Sequence, residues 1–171
     1  GDNTGLVYFG TAATNSSVQQ CKITGPGLRA QGIHGNTAGI ILFRSTNIKL
    51  LNNDISNVPI GIYYKHANTN SPTDIEIAYN YIHNTDRFSI FLNSNYANVH
   101  DNIIASDNGS FTINEQNGVT GGDHNIINHN TISVRFVIAC EDSLGLYNTV
   151  TNNIITGKAE YHGYCAVAHE T

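Results

Sequence analysis

One short pattern recurs along the chain and limits the fold more than any other feature. IKLLNNDIS (48–56) aligns with IEIAYNYIH (75–83), ANVHDNIIA (97–105), NIINHNTIS (125–133) and NTVTNNIIT (148–156), and SVQQCKIT (17–24) is a weaker first copy. In this register one column reads Asn53, Asn80, Asn102, Asn130 and Asn153, with Cys21 at its head. Three residues earlier stand Val18, Leu50, Ile77, Val99, Ile127 and Val150; two residues later stand Ile23, Ile55, Ile82, Ile104, Ile132 and Ile155. Fixed self-similarity of this kind marks a stacked-repeat architecture.

A second apolar stretch accompanies each copy: GLVYF (5–9), GIILF (39–43), GIYYK (61–65), SIFLN (89–93), SFTIN (110–114), RFVIA (135–139) and YCAVA (164–168). Alternation with period two reads as half-buried strand. These stretches begin 21 to 34 residues apart. A propeller blade takes about 40 residues and four strands, too long for this period. Three short strands and three turns per repeat fit a parallel β-helix, whose coils stack about 4.8 Å apart. The Asn column then marks a corner: Asn tolerates left-handed backbone and turns a strand within one residue. Stacked at one corner, its amides hydrogen-bond from coil to coil. The expected fold is all-β, a parallel β-helix of about six to seven coils with an Asn ladder, spanning residues 1–171 as a single domain.

Composition narrows the partners. Only 12% of residues are charged and the formal charge is −5, so no basic surface invites nucleic acid. No apolar run approaches the roughly 18 residues of a membrane span. Polarity rests on 24 Asn. The three cysteines, Cys21, Cys140 and Cys165, match no disulfide framework or metal spacing. Neither end reads as capped, which predicts a module of a longer β-helix, completed by flanking coils or a second copy.

The NNxI-type turns followed by GIYY-type strands resemble the right-handed parallel β-helix proteins of the pectate-lyase-like superfamily, over essentially the whole chain. That resemblance implies a right-handed coil, an extracellular or cell-surface location, and a polysaccharide lying along the face of the GIYY-type strands. In this register Leu6, Ile40, Ile62, Ile90, Phe111, Phe136 and Cys165 point inward. Phe9, Phe43, Tyr63 and Phe91 point outward, as candidate sugar-stacking rings, with Asn93 and Arg87 as further substrate contacts. Turns beyond these strands carry His66, Asn114, Glu115, Glu141, Asp142, His169 and Glu170. Glu115 and Glu141, on adjacent coils, are candidates for a proton-sharing carboxylate pair of the glycosidase kind. Asn114, Glu115, Glu141 and Asp142 offer the hard oxygens that Ca²⁺ prefers, making calcium the one cofactor raised. Lys65, His66 and His169 are candidate proton-transfer groups.

Comparison with individual activities leaves alternatives open. Alginate- and chondroitin-type lyases carry two Glu upstream of a Lys and an Arg one coil later; Lys65 and Arg87 keep that separation, without the paired Glu. YCAVAHE (164–170) is similar to the YGFDPHE strand of mannuronan epimerases, with Val167 at its Asp and Ala168 at its Pro. The expectation is a lyase, epimerase or hydrolase of an acidic polysaccharide. Its alternative is a non-catalytic β-helix used as a surface, fibre or carbohydrate-binding module.

Overall fold

The computed structural model describes residues 4–65, 73–113, 122–139 and 147–156, with 135–139 described by backbone alone. Among the described residues fourteen strands follow one another: β1 Thr4–Phe9, β2 Thr14–Gln19, β3 Lys22–Thr24, β4 Thr37–Phe43, β5 Thr46–Leu51, β6 Asp54–Lys65, β7 Glu76–Ala78, β8 Tyr81–Leu92, β9 Asn98–His100, β10 Ile103–Ile113, β11 Ile126–Asn128, β12 Thr131–Ala139, β13 Thr149–Thr151 and β14 Ile154–Thr156. Every pairing is parallel. One sheet runs β1-β4-β6-β8-β10-β12-β14, with β3 also on β6; the other runs β13-β11-β9-β7-β5-β2. Parallel neighbours that are never consecutive in sequence, joined without helical crossovers, are coils of a right-handed parallel β-helix.

Three faces follow from the pairing. The second sheet is one of them. The first sheet bends and supplies the other two, because β6 pairs with β3 through Asp54–Ser56 and with β4 through Ile60–Lys65. Irregularities between Val58 and Ile60, and between Ser106 and Ser110, mark the bend.

Inside, residues stack on their equivalents. Ile23, Ile55, Ile82, Ile104 and Ile132 form one buried column, and Leu50, Ile77, Val99 and Ile127 another, with Val18, Val150 and Ile155 partly buried at the ends. Ile40, Ile62, Ile90 and Phe111 form the third. Branched aliphatics suit this arrangement, since each side chain meets a like shape above and below on a pleated surface. Tyr64 also enters the core, donating its hydroxyl to the Ser45 carbonyl at 2.8 Å, and burial raises its pKa well above the ordinary tyrosine value.

The Asn column forms the predicted ladder. The backbone N–H groups of Asn53, Asn80, Asn102 and Asn130 each donate to the side-chain oxygen of the next coil's Asn, at 2.8–3.0 Å. Their side-chain nitrogens donate to that same oxygen at 2.9–3.0 Å. Each also reaches back to a carbonyl of the preceding coil, Val18, Leu50, Ile77 and Val99. Cys21 heads the column and donates its N–H to Asn53 Oδ1.

The corner conformation belongs to a different residue than expected. Positive φ falls one position earlier, at Gln20, Asn52, Tyr79, Asp101, His129 and Asn152. The pair Asn52–Asn53 therefore divides the work: the first amide turns the backbone in solvent, and the second is buried and joins the coils. A second corner repeats the turn at Asn15, Asn47, Asp74, Tyr96, His124 and Tyr147. Asn125 and Asn148 start a shorter ladder there, donating and accepting in the same manner.

The first strand is out of the expected register. Val7, not Leu6, pairs with Ile40; Val7 and Phe9 pack on the core, and Leu6 is half exposed. Without an Asn column to anchor it, GLVYF alternates plausibly in either phase, and slipping by one residue exchanges its faces. Likewise a bulge sets Phe111 opposite Val137, with Phe136 opposite Ser110.

Among the described residues, one excursion leaves the coil, between β3 and β4, with a 3₁₀ turn at Arg29–Gln31. It starts flush against the next coil: a Cβ on Gly25 would stand 2.0 Å from Val58 Cγ1. It then straps across to β8. The Arg29 N–H donates to Asp86 Oδ2 at 2.8 Å, and the Arg29 guanidinium bonds the Asp86 carboxylate and carbonyl. Arg87 donates to the Gly35 carbonyl at 3.1 Å and to the Asn36 side chain.

Stability outcomes follow at three positions. Asn102→Ala strips acceptors from the buried Asn80 N–H and side chain, and urea unfolding should show a loss of about 3–5 kcal/mol. Asn52→Gly, at the exposed corner, should change stability by only a few tenths of a kcal/mol, and Asn52→Ala should lose about 1 kcal/mol. Asp86→Ala should release the strap: trypsin cleavage after Arg29 accelerates while the fold loses about 1–2 kcal/mol.

Candidate functional site

Three outer faces are available, and they differ. On the face of β4, Ile60–Lys65 and Phe88–Leu92, the outward side chains are covered. Ala38, Ile41, Ile60, Tyr63 and Phe91 form a second buried cluster, with Phe43 and Phe88 packed against it. Tyr63 and Phe91 are 5% and 1% exposed, and their rings meet edge to face at 5.1 Å. They are core aromatics rather than open ring faces for a sugar. The sequence already hinted at this, because β4 is a continuous apolar run, the signature of a strand buried on both sides. Asn93 is buried as well, its N–H donating to the Tyr64 carbonyl at 3.3 Å.

Lys65 is half-buried, its amine 6.0 Å from the Tyr63 ring centre. Tyr64 pairs with Leu92, so Lys65 lies level with Asn93, six residues along the strand from Arg87. At about 3.3 Å per residue that is roughly 20 Å. Lys65 and Arg87 do not share a site. Arg87 instead holds the strap and lies over the Phe88 ring. His66, Asn114, Glu115, Glu141, Asp142 and His169 lie outside the described residues.

On the second sheet, Lys49 pairs with Glu76 across β5 and β7, and His100 on β9, level with Ala78, reaches Glu76 diagonally. Lys49 Nζ sits 2.8 Å from Glu76 Oε2, and His100 Nε2 sits 3.5 Å from Glu76 Oε1. The Lys49 hydrogen bond, ahead of that from His100, holds the Glu76 pKa below its ordinary 4.5. The other ring nitrogen of His100 is 2.8 Å from Asp101. At the neighbouring corner Tyr96, His124 and Tyr147 stack face to face, with centroids 4.7 and 4.8 Å apart. The His124 ring is held between the two tyrosines, each of which gives it one face.

The third face carries a groove. Its outward columns are Lys22, Asp54, Tyr81, Ile103, Thr131 and Ile154, and beside them Thr24, Ser56, His83, Ala105, Ser133 and Thr156. In the second column the side chain shrinks from His83 to Ala105 and Ser133, so a trench opens along the solenoid axis. Its volume is about 310 Å³, and Tyr81, Asn84, Asp107, Asn108 and the strap residue Leu28 border it. Tyr81 stacks on His83 at 4.2 Å, and His83 Nε2 is 3.0 Å from Asp54 Oδ1. Deeper in, the Thr85 N–H donates to Ser106 Oγ at 3.0 Å, and the Thr85 and Ser89 hydroxyls are 2.8 Å apart. The lining is hydroxyl, amide and ring, on a scaffold fixed by the adjacent Asn ladder. None of these residues was a candidate on sequence, although the aligned copies contain the signal: a column that falls from His to Ala and Ser.

A family model described as Periplasmic copper-binding protein (NosD) matches residues 2–170. No curated protein matches the chain, and no solved structure does. Copper sites draw on imidazole and soft sulfur donors. Among the described residues no three His, Cys, Asp or Glu side chains gather into a metal-holding group. Cys21 is exposed, its thiol directed at the Gln19 carbonyl, while His83 and His100 face carboxylates. The described residues thus do not compose a copper centre. Because the family match runs over nearly the whole length, the chain belongs to the NosD family of β-helix proteins.

Proposed function

We propose that this chain is an extracytoplasmic binding β-helix that holds a segment of polysaccharide in the groove on its third face, without turning it over. The observation that supports this reading most is the trench itself. It runs parallel to the coil axis over the rungs of β8, β10 and β12, and its polar lining is held on strands and made of short hydroxyls and amides, with Asp107 and His83 beside them. An extended, hydroxyl-rich chain needs donors and acceptors repeated along a line, and a β-helix repeats its outward residues about every 4.8 Å. Asn84 and Asn108 present amides that both donate and accept, and Ser133 a hydroxyl that does the same. The groove volume sits at the low end for small-ligand sites, which suits one or two sugar units with the rest of the chain in solvent. The family's description as periplasmic supports an extracytoplasmic compartment.

Binding rather than catalysis is favoured by the placement of the described candidates. Lys65 lies on a different face from the groove, Arg87 is engaged by the strap, and Tyr63, Phe91 and Asn93 are buried.

Ala105→Trp and Ser133→Trp fill the trench floor from outward strand positions, where substitution leaves stability within roughly 0.5 kcal/mol. On a glycan array the wild-type chain should retain at least one polysaccharide, unchanged in length after prolonged incubation. Both variants should lose at least about tenfold in affinity (roughly 1.4 kcal/mol) with unchanged circular dichroism, while Lys49→Ala on the second sheet should bind normally. Groove-filled variants that bind as well as wild type, or a wild-type chain silent on a wide array, overturn the proposal.

A further inference from the structure

Resting on that reading of the groove, we infer that it recognises chains of 2-acetamido sugars, with Asn84 as the residue that reads the amide. Two features support this: an exposed amide ladder of fixed polarity that ends at the trench, and methyl-sized apolar surface beside it. The ladder starts at a backbone carbonyl, which can only accept. Asn57 Nδ2 donates to the Gly25 carbonyl at 3.0 Å, so Asn57 turns its side-chain oxygen the other way, toward the β8 coil. Only a donor can meet that oxygen, and Asn84 Nδ2 does so at 3.2 Å. The Asn84 oxygen is therefore turned away from β6 and toward β10, where the trench opens. Positive φ at both Asn57 and Asn84 gives the two amides the same backbone posture on successive coils.

The groove thus presents a carbonyl acceptor whose direction is set by a chain of bonds reaching back to Gly25. Asn108, exposed at the border, adds an amide that both donates and accepts. Beside them the floor is the Ala105 methyl group, and Leu28 of the strap stands at the border. A 2-acetamido group matches this set part for part. Its N–H donates to Asn84, its carbonyl accepts from Asn108, and its methyl covers Ala105 and Leu28. A sugar with a hydroxyl at the same carbon supplies a donor, but neither the carbonyl nor the methyl. One hydrogen bond and one buried methyl together amount to about tenfold in affinity. This departs from the acidic substrate class that the resemblance to polysaccharide lyases implies.

The test uses two β-linked hexamers of identical linkage that differ at that carbon alone, one of N-acetylglucosamine and one of glucose. Calorimetry measures both on wild type, Asn84→Gly, Asn57→Gly and Lys49→Ala. Wild type should bind the acetamido hexamer about tenfold tighter than the glucose hexamer. Glycine accepts the positive φ at positions 57 and 84, so both glycine variants should keep the wild-type circular dichroism. Asn84→Gly should bring the ratio to within about twofold. Asn57→Gly should lower it to about threefold, because Asn84 loses its anchor; a purely structural role would weaken both hexamers equally. Lys49→Ala should leave the ratio unchanged. A wild-type ratio near one, or a ratio that either glycine variant leaves unmoved, overturns the inference while the binding function stands. Retention of other polysaccharides with no binding of the acetamido hexamer does the same. Silence on every sugar chain overturns the binding function, and this inference with it.

Discussion

A backbone that stacks coils about 4.8 Å apart gains its ladder hydrogen bonds along strands but loses them at corners, where the chain must turn and its N–H groups point along the axis. The Asn column removes that difficulty. Each side-chain oxygen accepts from both the backbone and the amide of the preceding coil. Each side-chain nitrogen also satisfies a carbonyl on that coil, as Asn102 does for Ile77. One residue type thus satisfies the corner groups that the backbone ladder leaves over and fixes the register of two strands at once. The aliphatic columns can stack only because that register is held.

The division between Asn52 and Asn53 shows how the corner tolerates variety. The residue in the left-handed region joins the next coil through its backbone N–H, as Asn52 does to Ala78, and its exposed side chain takes no part in the Asn ladder, so the sequence there drifts through Gln20, Asn52, Tyr79, Asp101, His129 and Asn152. Left-handed backbone costs roughly 1–2 kcal/mol for an L-residue, and Asn and Asp reduce that cost by local hydrogen bonding. Tyrosine has no such recourse. At the second corner Tyr96 and Tyr147 stand in this conformation with His124 between them, and their stacking offsets part of the cost, at roughly 0.5–1.5 kcal/mol per aromatic pair. A column that cannot relieve strain within one residue relieves it between coils.

The fold was legible because its determinant is local and repeated: an amide at fixed distance from two aliphatics recurs five times, and each recurrence pairs with the next. Legibility failed wherever the repeat lacked that anchor. GLVYF has alternating residues and no Asn column of its own, so its phase was undetermined by pattern; Val7 faces the core because the pairing with Ile40 places it there. The bulge opposite Ser110 is invisible for the same reason. Aromatics on the β4 side looked like a sugar platform because alternation implies one wet face. A strand buried on both faces also carries apolar residues at outward positions, and Phe91 and Tyr63 belong to that case. The groove escaped notice for the opposite cause: it is made by what side chains lack, and a small residue in a strand carries no chemical signature of its own.

That contrast bears on how function attaches to this solenoid. The coil supplies identical backbone at every rung, so differences between faces arise entirely from side-chain size and charge in the outward columns. Where outward residues are large and apolar, they bury one another and the face becomes a second core, as around Phe91. Where they are charged and opposite, they clasp, as Lys49 and Glu76 do. Where a column shrinks from coil to coil, concave surface appears, and the third face does this from His83 to Ser133. A strap pinned at Asp86 and Arg87 sets Leu28 at its border. The site thus depends on the ladder twice. Asn80, Asn102 and Asn130 stand immediately before Tyr81, Ile103 and Thr131, so the bonds that register the coils also align the residues that line the trench.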